Sequence, residues 1–137
     1  SEGGLELMKS EFKRLHPIED IGGGPVLFFP LNSGLITAPF LKLPSNENSF
    51  FLGLLRRAEP PTSERINQQR LDNEAIYQRV LNVGGVRYLP DTLPENEEFW
   101  SQHFDTIWPN LQSYKSRFDP DGILVGSFGE YLLNNSD

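Results

Sequence analysis

The chain has 137 residues, of which 37% are hydrophobic and 12% aromatic, enough to bury one core and to be read as one domain and not as a disordered chain. A net charge of −7 and a pI near 4.8 argue against nucleic acid or an anionic membrane as partner, since either needs a basic face. The absence of cysteine excludes a disulfide framework, a thiolate metal site and a cysteine nucleophile without fixing the compartment.

Taken in order, Ser1 to Gly4 read as a linker or an expression scar, with no signal-peptide pattern. Leu5, Met8, Phe12 and Leu15 are spaced for one face of a short helix that Pro17 closes. Gly22-Gly23-Gly24 precedes the apolar run Pro25–Leu31, a strand bracketed by prolines. The triple glycine does not read as a phosphate loop, because it leads into a strand and lacks both the GxGxxG spacing and a following helix. Prolines 39 and 44 break the next stretch into a loop or an edge strand. Phe50–Leu55 is a second strand, so continuously apolar that it should be covered on both faces, with Arg56 and Arg57 marking its exit to water.

A helix is expected from Thr62 or Ser63 to about Val83, capped at its start and ended by Gly84-Gly85, with Ile76, Val80 and Val83 on its buried stripe. Val86–Leu89 is expected as a short third strand. The acidic run from Asp91 to Asp105, with five carboxylates and no Lys or Arg, reads as a solvated loop leading into a brief helix around Phe99–Phe104. Ile107, Leu111, Tyr114 and Phe118 then recur at helical spacing and should face a core; Pro120 stops that helix, and Pro-Asp-Gly gives a turn with Gly122 at positive φ and a buried exit at Ile123-Leu124. The sum is an α+β plan, a mainly antiparallel sheet with flanking helices. No apolar run reaches the roughly 20 residues of a membrane span.

The chemistry legible in the residues alone is thin. His16 and His103 are far apart in sequence and show no triad or metal-ligand spacing, so each reads as an exposed or satisfied histidine and no metal site is expected. Phe99, Trp100, Phe104 and Trp108 can line a planar ligand but more commonly form core. The carboxylates show no pairing that points to acid-base work, and no catalytic residue is assigned.

Five segments in order carry a resemblance: Gly24-Pro25-Val26-Leu27-Phe28-Phe29-Pro30-Leu31-Asn32, Phe50–Arg56, Tyr88-Leu89-Pro90, Trp100–Phe104, and Phe118-Asp119-Pro120 with Ile123-Leu124. Together they resemble the carboxyl-terminal part of the cytokinin dehydrogenases, FAD-linked oxidases of the vanillyl-alcohol oxidase superfamily. The resemblance implies a substrate (cap) domain whose sheet lies over the flavin, with the FAD-binding domain and the proton-accepting carboxylate upstream. It implies FAD and a small-molecule substrate as partners, and hydride transfer from an amine or alcohol. It further implies that Tyr88 and Ser127 approach the flavin and that Leu89 and Ile36 face the substrate. The sequence departs from the family pattern at Ile36, where a tryptophan is usual, at Thr37, and at Val125-Gly126-Ser127 in place of Pro-Gly-Gln. A stand-alone ligand-binding or regulatory module is the alternative, since fold does not fix function. A face bared by a missing domain, with Tyr88, Leu89, Phe128 and Tyr131 on it, would favour a homodimer.

Overall fold

The computed structural model describes residues 2–89, 96–124, 126 and 131–132. It is α+β: helix α1 (Glu2–Arg14), strands β1 (Val26–Asn32) and β2 (Asn48–Leu54), helix α2 (Ser63–Asn82), then α3 (Glu97–Phe104) and α4 (Trp108–Phe118). Chain contacts divide these elements into two units, residues 1–39 with 43–93, and residues 40–42 with 94–137.

In the first unit β1 and β2 form an antiparallel ribbon in which Val26 lies opposite Leu54 and Asn32 opposite Asn48. Phe29 stacks on Phe51 directly across the ladder at 6.0 Å, and Phe28 tilts against Phe50 at 5.3 Å. Such cross-strand aromatic pairs fix the register of a sheet. The expectation that Phe50–Leu55 is covered on both faces is corrected. Among the described residues β2 pairs only with β1, its residues from Ser49 to Leu54 are half-buried, and Leu55 is exposed. Continuous hydrophobicity states what a strand can bury and does not supply the second layer. Val86–Leu89 is likewise not a strand; its residue types favour one, but a strand exists only where a neighbour offers a ladder.

The core of this unit joins Leu15, Ile21 and Ile76, with Leu54 and Val80 packed against them. Helix α1 keeps only part of the expected face inward: Met8 is half-buried and Leu15, just past its end, is core. Leu5 and Phe12 are exposed and the buried residue within the helix is Glu11. Residues 2–4, expected as a linker, form its first turn. The reason for the buried glutamate is a clamp invisible to hydrophobic periodicity. Glu11 accepts hydrogen bonds from Arg79 Nε at 2.7 Å and Arg14 Nη2 at 2.8 Å, and Arg14 and Arg56 both pair with Asp72. Arg56, expected at an exit to water, is therefore buried with 5% of its side chain exposed. A charge so far from water is tolerated only where partners surround it.

Helix α2 begins where its cap requires, with the Thr62 hydroxyl accepting from Arg65 N. Its polar first half is not simply solvated: Arg65 donates to the Ile18 and Glu19 carbonyls, and Gln69 to those of Asp20 and Arg57. These bonds satisfy the loop that contains the triple glycine. A Cβ at position 22 would fall 1.9 Å from the Arg57 carbonyl oxygen and one at 24 would fall 1.8 Å from that of Leu55. The glycines thus allow a close backbone crossing beside β2. The helix closes as the sequence predicts, with Gly84 N bonded to Leu81 O and Gly85 N to Val80 O, the Schellman pattern.

The second unit is built on aromatic rings. Trp100 is fully buried, Phe104 stacks on it at 6.0 Å, and Trp108 stacks on Phe104 at 6.1 Å, so the aromatic cluster is core. Part of the acidic run is not loop. Asn96 caps α3, and Glu97 and Glu98 fill its first turn, where carboxylates oppose the helix dipole. Asp91 and Glu95 lie outside the described residues. Helix α4 meets the expected face in part: Ile107 and Leu111 are half-buried and Trp108 is its buried residue, whereas Tyr114 and Phe118 are exposed. Ile123 and Leu124, expected to be buried, are exposed too. What holds the turn is Asp119, which accepts from Lys115 and from the backbone N–H of Ile123 and Leu124, while Gly122 takes φ 63° as expected. Local polar bonds, not apolar burial, close this end of α4.

Candidate functional site

A cavity of about 690 Å³ lies within the first unit, bounded by α1, α2, β2 and the stretch that leaves α2. Met8, Ile76, Val80 and Val83 supply apolar wall, and Phe51 and Tyr88 supply aromatic rings. The Schellman turn at Gly84-Gly85 directs the chain away from α2 so that Val86–Tyr88 reaches the cavity. Tyr88 meets Phe51 edge to face at 5.2 Å and 76°, and is about half exposed. A phenol held in this way offers a flat face and a hydroxyl to a ligand.

The charged groups of the wall are Glu11, Arg56, Arg57 and Arg87. Glu11 is the carboxylate closest to a catalytic candidate, and its surroundings argue against that use. Burial by itself would raise its pKa, but the hydrogen bonds from Arg79 and Arg14 outweigh it and hold the carboxyl below its ordinary value. Asp72 behaves alike, burial opposed and exceeded by Arg14 and Arg56. A general base needs a pKa raised toward neutrality, and both groups move the other way. Asp119 in the second unit is also lowered, chiefly by the Lys115 ammonium. It is only 7% exposed, and burial would raise it, but the Lys115 bond together with the backbone N–H groups of Leu124 and Ile123 outweighs that.

Of the residues expected at a site, Tyr88 lines the cavity, and Leu89, half-buried, follows it in sequence. Ile36 is half-buried just beyond the short turn Ser33–Leu35, and it is not part of the cavity wall. Ser127 and Phe128 lie outside the described residues. Tyr131, in the second unit, is half-buried. The histidines have local roles. His16 Nδ1 accepts from Glu19 N and its own N–H donates to Asp20, while His103 is buried among Phe99, Trp100 and Phe104. The Phe51–Tyr88 contact and the Glu11–Asp72 clamp are the features of the site that sequence reasoning missed. The glycine at 53 beside Phe51 was the available signal for the first, and nothing local signals the second.

The fit of these residues to FAD is divided. Gly22 and Gly24 are packed against the β2 exit and lead into a strand and not a helix, which does not suit a pyrophosphate, whereas the Tyr88 ring and hydroxyl suit a flat heterocycle.

The family model described as cytokinin dehydrogenase 1, FAD and cytokinin binding, matches residues 6–129. An uncharacterised oxidoreductase from the fasciation locus of Rhodococcoides fascians is 32% identical over 111 residues, which cover 80% of this chain and 25% of that protein. Cytokinin dehydrogenases 6 and 7 of Oryza sativa subsp. japonica are 29% and 26% identical over 122 and 121 residues, in each case 86% of this chain and 21% of the relative. The chain therefore spans about a quarter or less of these relatives. No solved structure matches it significantly. With a family match that runs through both of its units, the chain belongs to the cytokinin dehydrogenase FAD- and cytokinin-binding family.

Proposed function

We propose that this chain is the substrate-domain portion of an FAD-dependent oxidoreductase of cytokinin dehydrogenase type, and that the parent protein oxidises an amine or alcohol. The match over residues 6–129 carries this reading. When bound, FAD supplies the hydride acceptor, and the rest of the parent holds the cofactor's phosphates. The residues of this chain place the substrate and keep water from it. Tyr88 and Ser127 approach the flavin; Leu89 and Ile36 face the substrate. Support for Tyr88 comes from its exposed phenol at a cavity walled by Phe51, Met8 and Val80. Ile36 lies outside the cavity wall, so its place at the substrate rests on the family pattern alone, which usually has tryptophan there; with isoleucine the substrate has one less stacking surface.

The test is expression of the full-length parent. Flavin absorbance that bleaches anaerobically on addition of cytokinins or other amines or alcohols is the expected outcome. A parent that carries no flavin and binds a planar ligand without turning it over would instead make the chain part of a ligand-binding module.

A further inference from the structure

We propose that Phe51 is a positioning residue for Tyr88, and that Gly53 provides the seat on which the Phe51 ring rests. This rests on the reading above in so far as Tyr88 faces the flavin and substrate. Three observations support it. The first is continuity of the rings: Phe29 stacks on Phe51 with 22° between planes, and Phe51 meets Tyr88 at 76°, so one face of the ribbon carries a connected row of three aromatics. The outer two are 51% and 54% exposed, whereas Leu54, which points to the other side by strand alternation, packs on the core with Ile76.

The second observation is that Tyr88 lies in a stretch with no helix or strand. No ladder therefore sets the direction of its side chain, and a ring contact at 5.2 Å is left to do so. The third is steric. Residue 53 shares a face with residue 51, and a Cβ there would stand 3.0 Å and 3.1 Å from Cε1 and Cζ of the Phe51 ring. A side chain at 53 therefore makes the Phe51 ring give by a few tenths of an ångström, on the face where it meets Tyr88. A glycine in mid-strand costs stability, and a close approach of this kind is a reason for its presence.

The experiment uses the full-length parent with Phe51→Leu, Gly53→Ala, the ring-conserving Phe51→Tyr, and Tyr88→Phe, each labelled with fluorotyrosine. The signal lost in Tyr88→Phe identifies residue 88. In Phe51→Leu and Gly53→Ala that signal shifts, and KM rises about three- to tenfold with kcat within about twofold, the size expected for loss of one aromatic contact. Phe51→Tyr restores the wild-type KM. A residue-88 signal that stands still in both Phe51→Leu and Gly53→Ala overturns the proposal. So does a fall in kcat with release of flavin, because that marks a general loss of structure and not a misplaced phenol. Wild-type parent without flavin would overturn the functional reading alone, and the fluorine shift would then decide the contact without it.

Discussion

Single residues in this chain are placed by short-range geometry that can be tested one at a time. Asp105 joins α3 to the turn before α4 with φ 47° and ψ −120°, a conformation that suits glycine far better than a residue with a Cβ. Asp105→Gly should therefore stabilise the chain by about 1 kcal/mol, read as a rise in the unfolding midpoint; an unchanged or lower midpoint would mean that the aspartate side chain compensates for the strain. Ile36 makes the matching functional case. In the full-length parent Ile36→Trp should tighten binding of planar purine substrates by about 1 kcal/mol, the worth of one aromatic pairing. Unchanged kinetics over several such substrates would remove Ile36 from contact with the substrate.

Elements are held to one another by ionic bonds as much as by apolar packing. Helix α1 is oriented by Glu11, which bonds Arg79 on α2, and the exit of β2 is tied to α2 by Arg56 and Asp72. Glu11→Gln should cost about 1–2 kcal/mol: a buried acceptor of charged hydrogen bonds is weakened, while Arg14 and Arg79, with 42% and 39% of their side chains exposed, recover part of their hydration. The pH dependence has a fixed sign. Both carboxyls have folded pKa values below their ordinary 4.5 and 3.8, so the unfolded chain takes up protons first on acidification. Their contribution is fully present above about pH 5 and is lost as the pH falls through the folded values. Denaturant titrations between neutral pH and pH 3 should show stability falling in the acid range, with a shallower fall in Glu11→Gln. Parallel curves for the two proteins would show that the clamp does not govern acid stability.

At the scale of the whole molecule, the chain offers a cavity and a ring surface and spans about a quarter or less of its relatives. Expressed by itself it should be colourless and should reduce no dye with cytokinins or other amines. Gly22 and Gly24 of its triple glycine are crowded by its own backbone, and the carboxylate on the cavity wall is held ionised by two arginines. A flavin absorbance band or any dye reduction would contradict this. We propose in addition that the isolated chain self-associates, since Phe28 and Phe29 on the ribbon and Tyr88 beside it are all about half exposed, and among the described residues no further strand pairs with the ribbon. Sedimentation should show a dimer or a concentration-dependent oligomer; a monomer at high concentration would exclude it.

The sequence by itself determined the parts whose causes lie within a few residues. The Thr62 cap, the Gly84-Gly85 closure of α2, the Pro120 stop with Gly122 at positive φ, and the burial of Trp100, Phe104 and Trp108 are all local or compositional, and the order of the motifs identified the family. Tertiary structure alone decided that Glu11 of α1 turns inward, that Arg56 is buried, that Val86–Leu89 runs without a ladder, and that Phe51 meets Tyr88. Each of these depends on a partner remote along the chain, as Arg79 is 68 residues from Glu11. Periodicity weighs a residue by its own hydrophobicity, so it places a glutamate in water and a leucine inside. A distant arginine reverses that order, because a paired charge loses far less on burial than a lone one.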